Sequence, residues 1–447
     1  MVKPSPAVCW AWADWMVGKL SGCLPDPHSM ETASVLTRNR LQADREVKTS
    51  LSASVFGAGP TGALLALGLA RLGCSVTLQD PLDLDALGSR SRAYAITHSS
   101  RRLLQRLDLW DDLQPHLVPF RQLRLQDEGV APLVWFGADD LKATNRAHGV
   151  IGWILDHKPL MRLLLHRLEQ QPDLTLRLGH PPSSLHSESA PCSDLLIAAD
   201  GPRSPHRLAW GFPFWSRSYR QGCLTAKVLL RGATPGSAYE FFRSEGPFAV
   251  LPLGGQAYQV VWSAPLRRCQ DLAGLDPAAL LDRLATVLPD GLVPDALLDQ
   301  PMAVPLQLSL APRLGHRNQL LVGESGHRCH PVGGQGLNLC WRDVADLLDL
   351  VERHQHQSIS VRRLVRRYSR SRLPDLLLVA LSTDLLLRVF SNRSLLLLPI
   401  RALGLALMQR VPRLRRVALQ AMSDGPMTFL QAPPEWRSGG RPDGVQL

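Results

Sequence analysis

A glycine turn, Gly57-Ala58-Gly59-Pro60-Thr61-Gly62, lies between a short strand-like run, Leu51 to Phe56, and an apolar helical run, Ala63 to Leu72. Gly73 stops that helix, and Cys74-Ser75-Val76-Thr77-Leu78 reads as a second strand that runs on towards Asp80. Strand, tight turn, helix and strand in that order make a βαβ unit, and the glycines say what the turn is for. The first permits the tight turn, the second lets a pyrophosphate approach the backbone, and the third lets the helix pack on the strand. Asp80, 18 residues past Gly62 (80 − 62), is placed to accept the ribose hydroxyls. A bare G-x-G-x-x-G is a weak signal. With both strands, the helix and the acid in place, the spacing predicts a dinucleotide site that uses Gly57, Gly59, Pro60, Gly62 and Asp80.

Two further segments carry the same kind of chemistry. The apolar run Gln319 to Val322 leads into Gly323-Glu324-Ser325-Gly326-His327-Arg328-Cys329-His330-Pro331-Val332-Gly333-Gly334-Gln335-Gly336-Leu337-Asn338, and a helical pattern starts near Trp341. A strand, a glycine-dense turn and a helix bring backbone N–H groups up to an anionic ligand. Three glycines within four residues, Gly333, Gly334 and Gly336, remove the Cβ atoms that would hold a flat ring away from the main chain. The second segment is an apolar strand ending in Asp200-Gly201, with Ser204 and Arg207 after it. Alone it reads as a surface turn, since Asp-Gly is a common turn pair; beside the other two motifs it reads as part of one site.

Together the motifs resemble the class A FAD-dependent aromatic hydroxylases, and more narrowly the ubiquinone-biosynthesis monooxygenases that hydroxylate polyprenylated phenols. The resemblance runs from about Ser54 to Gly425. It implies an α/β fold, a Rossmann-like FAD-binding domain of the para-hydroxybenzoate hydroxylase type with an inserted β-rich substrate domain and C-terminal helices. Gly57, Gly59, Gly62 and Asp80 match the family's FAD adenosine half, and Arg92 its arginine segment; Asp200-Gly201 matches a motif that contacts FAD and the nicotinamide donor in relatives. Gly323, Glu324, His327, His330, Pro331 and Gly333 to Asn338 match the flavin-facing loop. Thr383-Asp384, Arg388 to Asn392 and Pro412 to Arg415 resemble C-terminal helices of the quinone branch. There are departures: Glu324 stands where the family has Asp, Cys340 where a small residue is usual, and Asp80 where Glu is commoner.

The implied reaction uses FAD, NAD(P)H as electron donor and O2 to hydroxylate a phenolic, prenylated ring. Pro331 and Gly333 to Gly336 would lie along the isoalloxazine edge, their N–H groups stabilising negative charge on the reduced ring. Asp200 would hold the pyrophosphate side and Arg92 would offset phosphate charge. His330 and Pro331 are the candidates at the reacting end, with His330 either handling protons or serving structure. A soluble-phenol hydroxylase and a non-catalytic flavoprotein subunit of a biosynthetic complex stay open as alternatives. A halogenase would need Trp-x-Trp-x-Ile-Pro, and Trp10-Ala11-Trp12 lies in the wrong context.

The chain has 447 residues and a net charge of +11. Nucleic acid is one partner such a balance suggests. Aromatic residues are only 6%, however, and no basic recognition motif is seen, so anionic cofactors and an anionic membrane surface explain the charge better. The eight cysteines form no C-x-x-C, which reads as reduced thiols in a cytoplasmic protein, with peripheral contact at the membrane face. His327-x-Cys329-His330 has no supporting ligand cluster, and no metal is expected. No run of about 20 uncharged apolar residues is present.

Residues 1–50 read as a disordered or mis-started extension, and 51–118, 151–212 and 312–356 as a discontinuous FAD-binding domain. Residues 119–150 and 213–311 read as the substrate domain, 357–425 as a helical region and 426–447 as a disordered tail. In the helical region Arg362, Arg366 and Arg370 share one face with Arg363 and Arg367, opposite Val361, Leu364, Val365 and Tyr368. This is either a solvated face of a packed helix or a basic surface that rests on lipid. A homo-oligomer and a place in a biosynthetic complex are equally open.

Overall fold

The structure, a computed structural model, describes residues 51–180, 193–289, 291–357 and 359–429. The readings of the first 50 residues and of the tail from 430 onwards lie outside that range. Pro426–Phe429, read from sequence as the start of the tail, form a 3-10 turn.

The glycine turn joins β1 (Ser52–Phe56) to α1 (Pro60–Arg71), and β2 (Ser75–Asp80) returns parallel to β1. Every residue of α1 from Gly62 to Ala70 is buried, which is why its sequence is apolar all round rather than striped. Further along the chain come β3 (Ala93–Ile96), α2 (His98–Arg106), β4 (Leu117–Phe120), β5 (Gln122–Asp127), β6 (Leu133–Gly137), β7 (Gly152–Asp156), α3 (His157–Glu169), β8 (Leu174–Leu178) and β9 (Leu195–Ala198). The middle of the chain is β10 (Trp215–Arg231), β11 (Ser237–Phe242), β12 (Phe248–Gly254), β13 (Ala257–Pro265), α4 (Leu266–Ala273), α5 (Pro277–Ala285), β14 (Val293–Leu297) and β15 (Met302–Leu310). After them come β16 (Gly315–His316), β17 (Gln319–Leu321) and β18 (His327–Arg328), then α6 (Gln335–Gln357), α7 (Val361–Phe390), α8 (Leu398–Arg410) and α9 (Pro412–Asp424).

These strands form three sheets. The first runs β16-β17-β9-β1-β2-β8 and draws on three separate stretches of chain. The second runs β18-β15-β10-β13-β12-β11-β5-β6, with β14 also paired to β10. The third is the small antiparallel sheet β3-β7-β4. One apolar core lies about the first sheet and joins Val55, Leu64, Trp341, Leu348 and Tyr368. A second lies between the large sheet and α4 and α5, around Trp262, Phe248 and Leu280. A third joins Phe136, Ile154, Phe242, Phe390, Leu405 and Leu419 to Val332 of the glycine-dense loop.

The helix after that loop starts at Gln335, not near Trp341. Gly333 (φ +69°) and Gly334 (φ +64°) make the left-handed steps, and the chain turns helical directly after them. On α7, Leu364, Val365 and Tyr368 are buried and Arg362, Arg363, Arg366 and Arg370 are exposed. No single helix among the described residues is long and apolar enough to cross a membrane.

Candidate cofactor and active site

The three chain-distant motifs open onto one cleft of about 890 Å³. Gly57, Gly59 and Pro60 line it with Asp80, Arg92, Asp200, Gly201 and Glu324. A cleft of that size suits a large cofactor. The local reasons are steric. A Cβ on Gly62 would lie 1.8 Å from the Gly57 carbonyl oxygen, and one on Gly57 would lie 2.5 Å from the Ala199 oxygen, so the turn exists only with glycine at both places. A Cβ on Gly59 would meet nothing within 4 Å; it would point into the open cleft where a phosphate would approach. Asp80 holds the turn from below, accepting the Ala58 N–H at 2.7 Å and the Leu82 N–H at 2.8 Å. Each carboxylate oxygen keeps a further lone pair for a ribose hydroxyl.

Charge around the cleft fits an anionic ligand. Arg90, Arg92, Arg177, Arg203 and Arg328 line it against the carboxylates Asp80, Asp200 and Glu324. Arg92 is exposed, and Glu324 reaches Arg328 at 3.7 Å. Asp200 Oδ2 binds the His206 ring at 2.8 Å, and that ring stacks on Phe56 at 3.9 Å. Asp200 Oδ1 is buried and has no protein partner, the kind of orphaned acceptor that a bound cofactor satisfies. Arg207 turns inward instead, donating to the Ser325 carbonyl at 2.8 Å and the Pro202 carbonyl at 3.1 Å. It fastens the Asp-Gly turn to the loop after β17.

The two glycine loops meet. Gly323 packs so closely on Thr61 that a Cβ would lie 3.0 Å from its methyl, and Trp341 Nε1 donates to the Pro60 carbonyl at 3.3 Å. His330, Pro331 and the glycines of the second loop lie outside the residues lining the cleft. Asn338 is the loop's anchor. Its Oδ1 accepts from Ser100 Oγ at 2.7 Å and from Thr97, and its Nδ2 donates to the carbonyls of Ala95 (2.7 Å) and Gly334 (2.9 Å). Its amide thus shapes the loop rather than facing a ligand. Gln335 Nε2 likewise donates to the carbonyls of Gly333 and Met422. The Gly334 N–H bonds the Pro331 carbonyl at 2.9 Å, and the first turn of α6, from Gln335, is a source of N–H groups for a ligand. His330 is fully buried, and burial drives its pKa down to about 3, so the ring is neutral near pH 7 and no base there. Nδ1 accepts the Val332 N–H at 3.2 Å, which puts the ring proton on Nε2, a buried atom without a partner.

A charged network that sequence reasoning missed lies behind the loop. Asp343 on α6 is fully buried and accepts from the Gly323 N–H (2.9 Å), His327 Nε2 (2.6 Å) and Arg372 Nε (2.7 Å). Burial pushes its pKa up, but His327 and Arg372 overcome that and hold it at about 2. Arg372 also binds Asp375 at 2.9 Å, which binds Arg342 at 3.0 Å. The signal was a lone Asp on the apolar stripe of Leu339, Leu347 and Val351, which a helix tolerates only with partners.

Site and fold together define an FAD-binding enzyme. Residues 186–375 match the FAD binding domain family. The chain is 30% identical over 382 residues to ubiquinone hydroxylase UbiL of Rhodospirillum rubrum, covering 82% of this chain and 88% of that one. It is 29% identical over 385 residues to the 3-demethoxyubiquinol 3-hydroxylase of Escherichia coli, covering 82% and 97%. The p-nitrophenol 4-monooxygenase PnpA of Pseudomonas putida shares the fold with a TM-score of 0.68 and 18% identity, over 84% of this chain and 98% of that one. The chain belongs to the class A FAD-dependent aromatic hydroxylases, within the ubiquinone-biosynthesis monooxygenase family. It is an FAD-dependent monooxygenase of aromatic rings.

Proposed function

We propose that this enzyme hydroxylates the ring of a polyprenylated phenol in quinone biosynthesis, with NAD(P)H as electron donor and O2 as oxidant. The observation that carries the reading is the convergence of Gly59, Asp200 and Glu324, from three distant stretches of chain, on one arginine-rich cleft. Bound there, FAD would accept a hydride from the donor and deliver one oxygen atom to the ring; the protein orients and dries the site. Gly59 and the arginines would take the pyrophosphate and Asp200 Oδ1 a hydroxyl beside it, while the first turn of α6 would face the flavin head with its free N–H groups. His330, neutral and with an unpartnered Nε2–H, would donate a hydrogen bond rather than remove a proton. The sheet from β10 to β13 would carry the substrate.

A lipidic substrate is supported by the surface of α7 to α9. Leu377, Leu381, Leu385, Leu396, Ile400 and Leu403 are exposed there, Leu396 by 86%. Arg388, Arg393, Arg410, Arg413 and Arg416 stand exposed among them, and Asp384 is the single acid between 376 and 423. Apolar side chains ringed by arginine suit an anionic membrane surface, the phase that holds prenylated phenols. The test is a metabolite profile of a deletion strain. An accumulating prenyl phenol short of one hydroxyl, restored by the wild-type gene, is the expected result; an unchanged quinone pool refutes the reading.

A further inference from the structure

Arg90 and Arg92 line the cofactor cleft from residues 89–92, a stretch outside any helix or strand that leads into β3. Where such a stretch runs depends on the bonds its groups find elsewhere. Here they are found on the large sheet. Ser91 Oγ donates to Asp299 Oδ2 at 2.6 Å. The other oxygen of that carboxylate, Oδ1, accepts the Lys227 N–H of β10 at 2.7 Å. Two residues on, the Ala93 N–H donates to Gln259 Oε1 of β13 at 2.7 Å. Gln259 is a buried amide, which a strand tolerates only with a partner. It stands directly opposite Lys227 in the sheet, so both side chains project from one face. Lys227 reaches Asp156 at the start of α3, and the next N–H there, of His157, donates to the Arg92 carbonyl at 2.8 Å. Arg92 is thus held on both sides and at its own carbonyl. Its guanidinium lies 5.4 Å from the Tyr94 ring centroid.

We propose that Asp299 and Gln259 are positioning residues, which grip the chain on either side of Arg92 and so aim its guanidinium at the phosphates of the cofactor. The proposal rests on the reading of the cleft as the FAD site and of Arg92 as a phosphate partner. An exposed arginine gives up freedom when it meets an anion, and a backbone fixed in advance reduces that loss. Gln259 belongs to the sheet from β10 to β13, and Asp299 bonds to that sheet at Lys227. One positive charge of the cofactor cleft is therefore set in place by the sheet that carries the substrate. Loss of either grip weakens FAD binding without removing an atom that touches FAD.

A double-mutant cycle in the full chain separates this aim from a general loosening of the fold, with the FAD dissociation constant from fluorescence titration as the readout. Arg92→Gln should raise that constant roughly tenfold or more, since a charge-assisted hydrogen bond is lost. Asp299→Ala should raise it about fivefold in the wild-type background, and by less than about twofold in the R92Q background, where the grip has no charge left to aim. Gln259→Leu should follow the same pattern. Ser91→Ala removes one hydroxyl only and carries the same comparison if D299A does not fold. Asp299→Asn should bind FAD within about twofold of wild type, because its Oδ1 still accepts the Lys227 N–H and the Ser91 hydroxyl accepts from its Nδ2. An effect of D299A or S91A as large in R92Q as in wild type, no effect of either in wild type, or a D299N as weak as D299A would each overturn the proposal. An R92Q chain that binds FAD like wild type would strike Arg92 from the site and the proposal with it. A wild-type chain that takes up no FAD would instead sink the cofactor reading beneath both.

Discussion

Arg372 is the residue whose removal is expected to show most clearly how the second glycine loop is supported. It is 4% exposed and binds two buried carboxylates, Asp343 at 2.7 Å and Asp375 at 2.9 Å. Arg372→Met keeps most of the side-chain volume and removes the charge. Breaking a buried pair from one side costs roughly 3–5 kcal/mol, because the other ion is left uncompensated. Here Asp375 keeps Arg342 at 3.0 Å and Asp343 keeps its hydrogen bond from His327 Nε2 at 2.6 Å, so the low end, about 3 kcal/mol, is expected. The pH dependence has a definite sign. The folded pKa of Asp343 is depressed from 3.8 to about 2, so its ionised form adds stability above pH 4 that is lost as pH falls towards 2. The difference is worth about 2 kcal/mol. Without Arg372 that pKa rises, and acid unfolding should begin at higher pH. Urea titrations at pH 7 measure the loss, and acid titrations followed by tryptophan fluorescence measure the shift. The double variant with Asp343→Asn should recover part of the loss, since it leaves no stranded charge. A single variant within 1 kcal/mol of wild type, with an unmoved acid transition, would show that the network does not support the loop.

Gly59→Leu should leave the urea midpoint near wild type, because its side chain enters open space, but should raise the FAD dissociation constant at least a hundredfold in fluorescence titrations. Asn338→Ala removes bonds to Thr97, Ser100, Ala95 and Gly334, and at roughly 1 kcal/mol net per bond it should destabilise the fold by about 3–4 kcal/mol in the same urea assay. His330→Phe should lower turnover without moving the pH–rate profile between pH 6 and 9, because the wild-type ring does not titrate there; a lost ionisation near 6.5 would contradict the neutral assignment. Replacing Leu381, Leu385 and Leu396 together by Ser should weaken co-sedimentation with anionic phosphatidylglycerol vesicles at least tenfold and leave FAD content unchanged.

What could be read from the chain before the structure was local. Gly62 announces its turn because a Cβ there would meet the Gly57 carbonyl five residues before it, and Asp80 follows at the end of the next strand. Asp200 was readable only in company: alone, Asp200-Gly201 at the tip of an apolar strand is a surface turn, and the two glycine motifs gave it its reading. The start of α6 was not, because propensity argues against a helix opening at Gln335-Gly336, and the neighbouring turn decides it. The Asp343–Arg372 pair spans 29 residues and two helices, so only packing reveals it. Arg207 matched a motif, yet the motif said nothing about the inward turn that ties it to Ser325.

The first sheet takes its strands from Ser52, Leu174, Leu195 and Gln319, and the anchor of the second glycine loop is Asn338 of a 447-residue chain. During synthesis, then, three-quarters of the polypeptide must leave the ribosome before any flavin has a place to dock. Until that moment β9 lacks β17, its parallel neighbour, and stands as an open edge of the sheet.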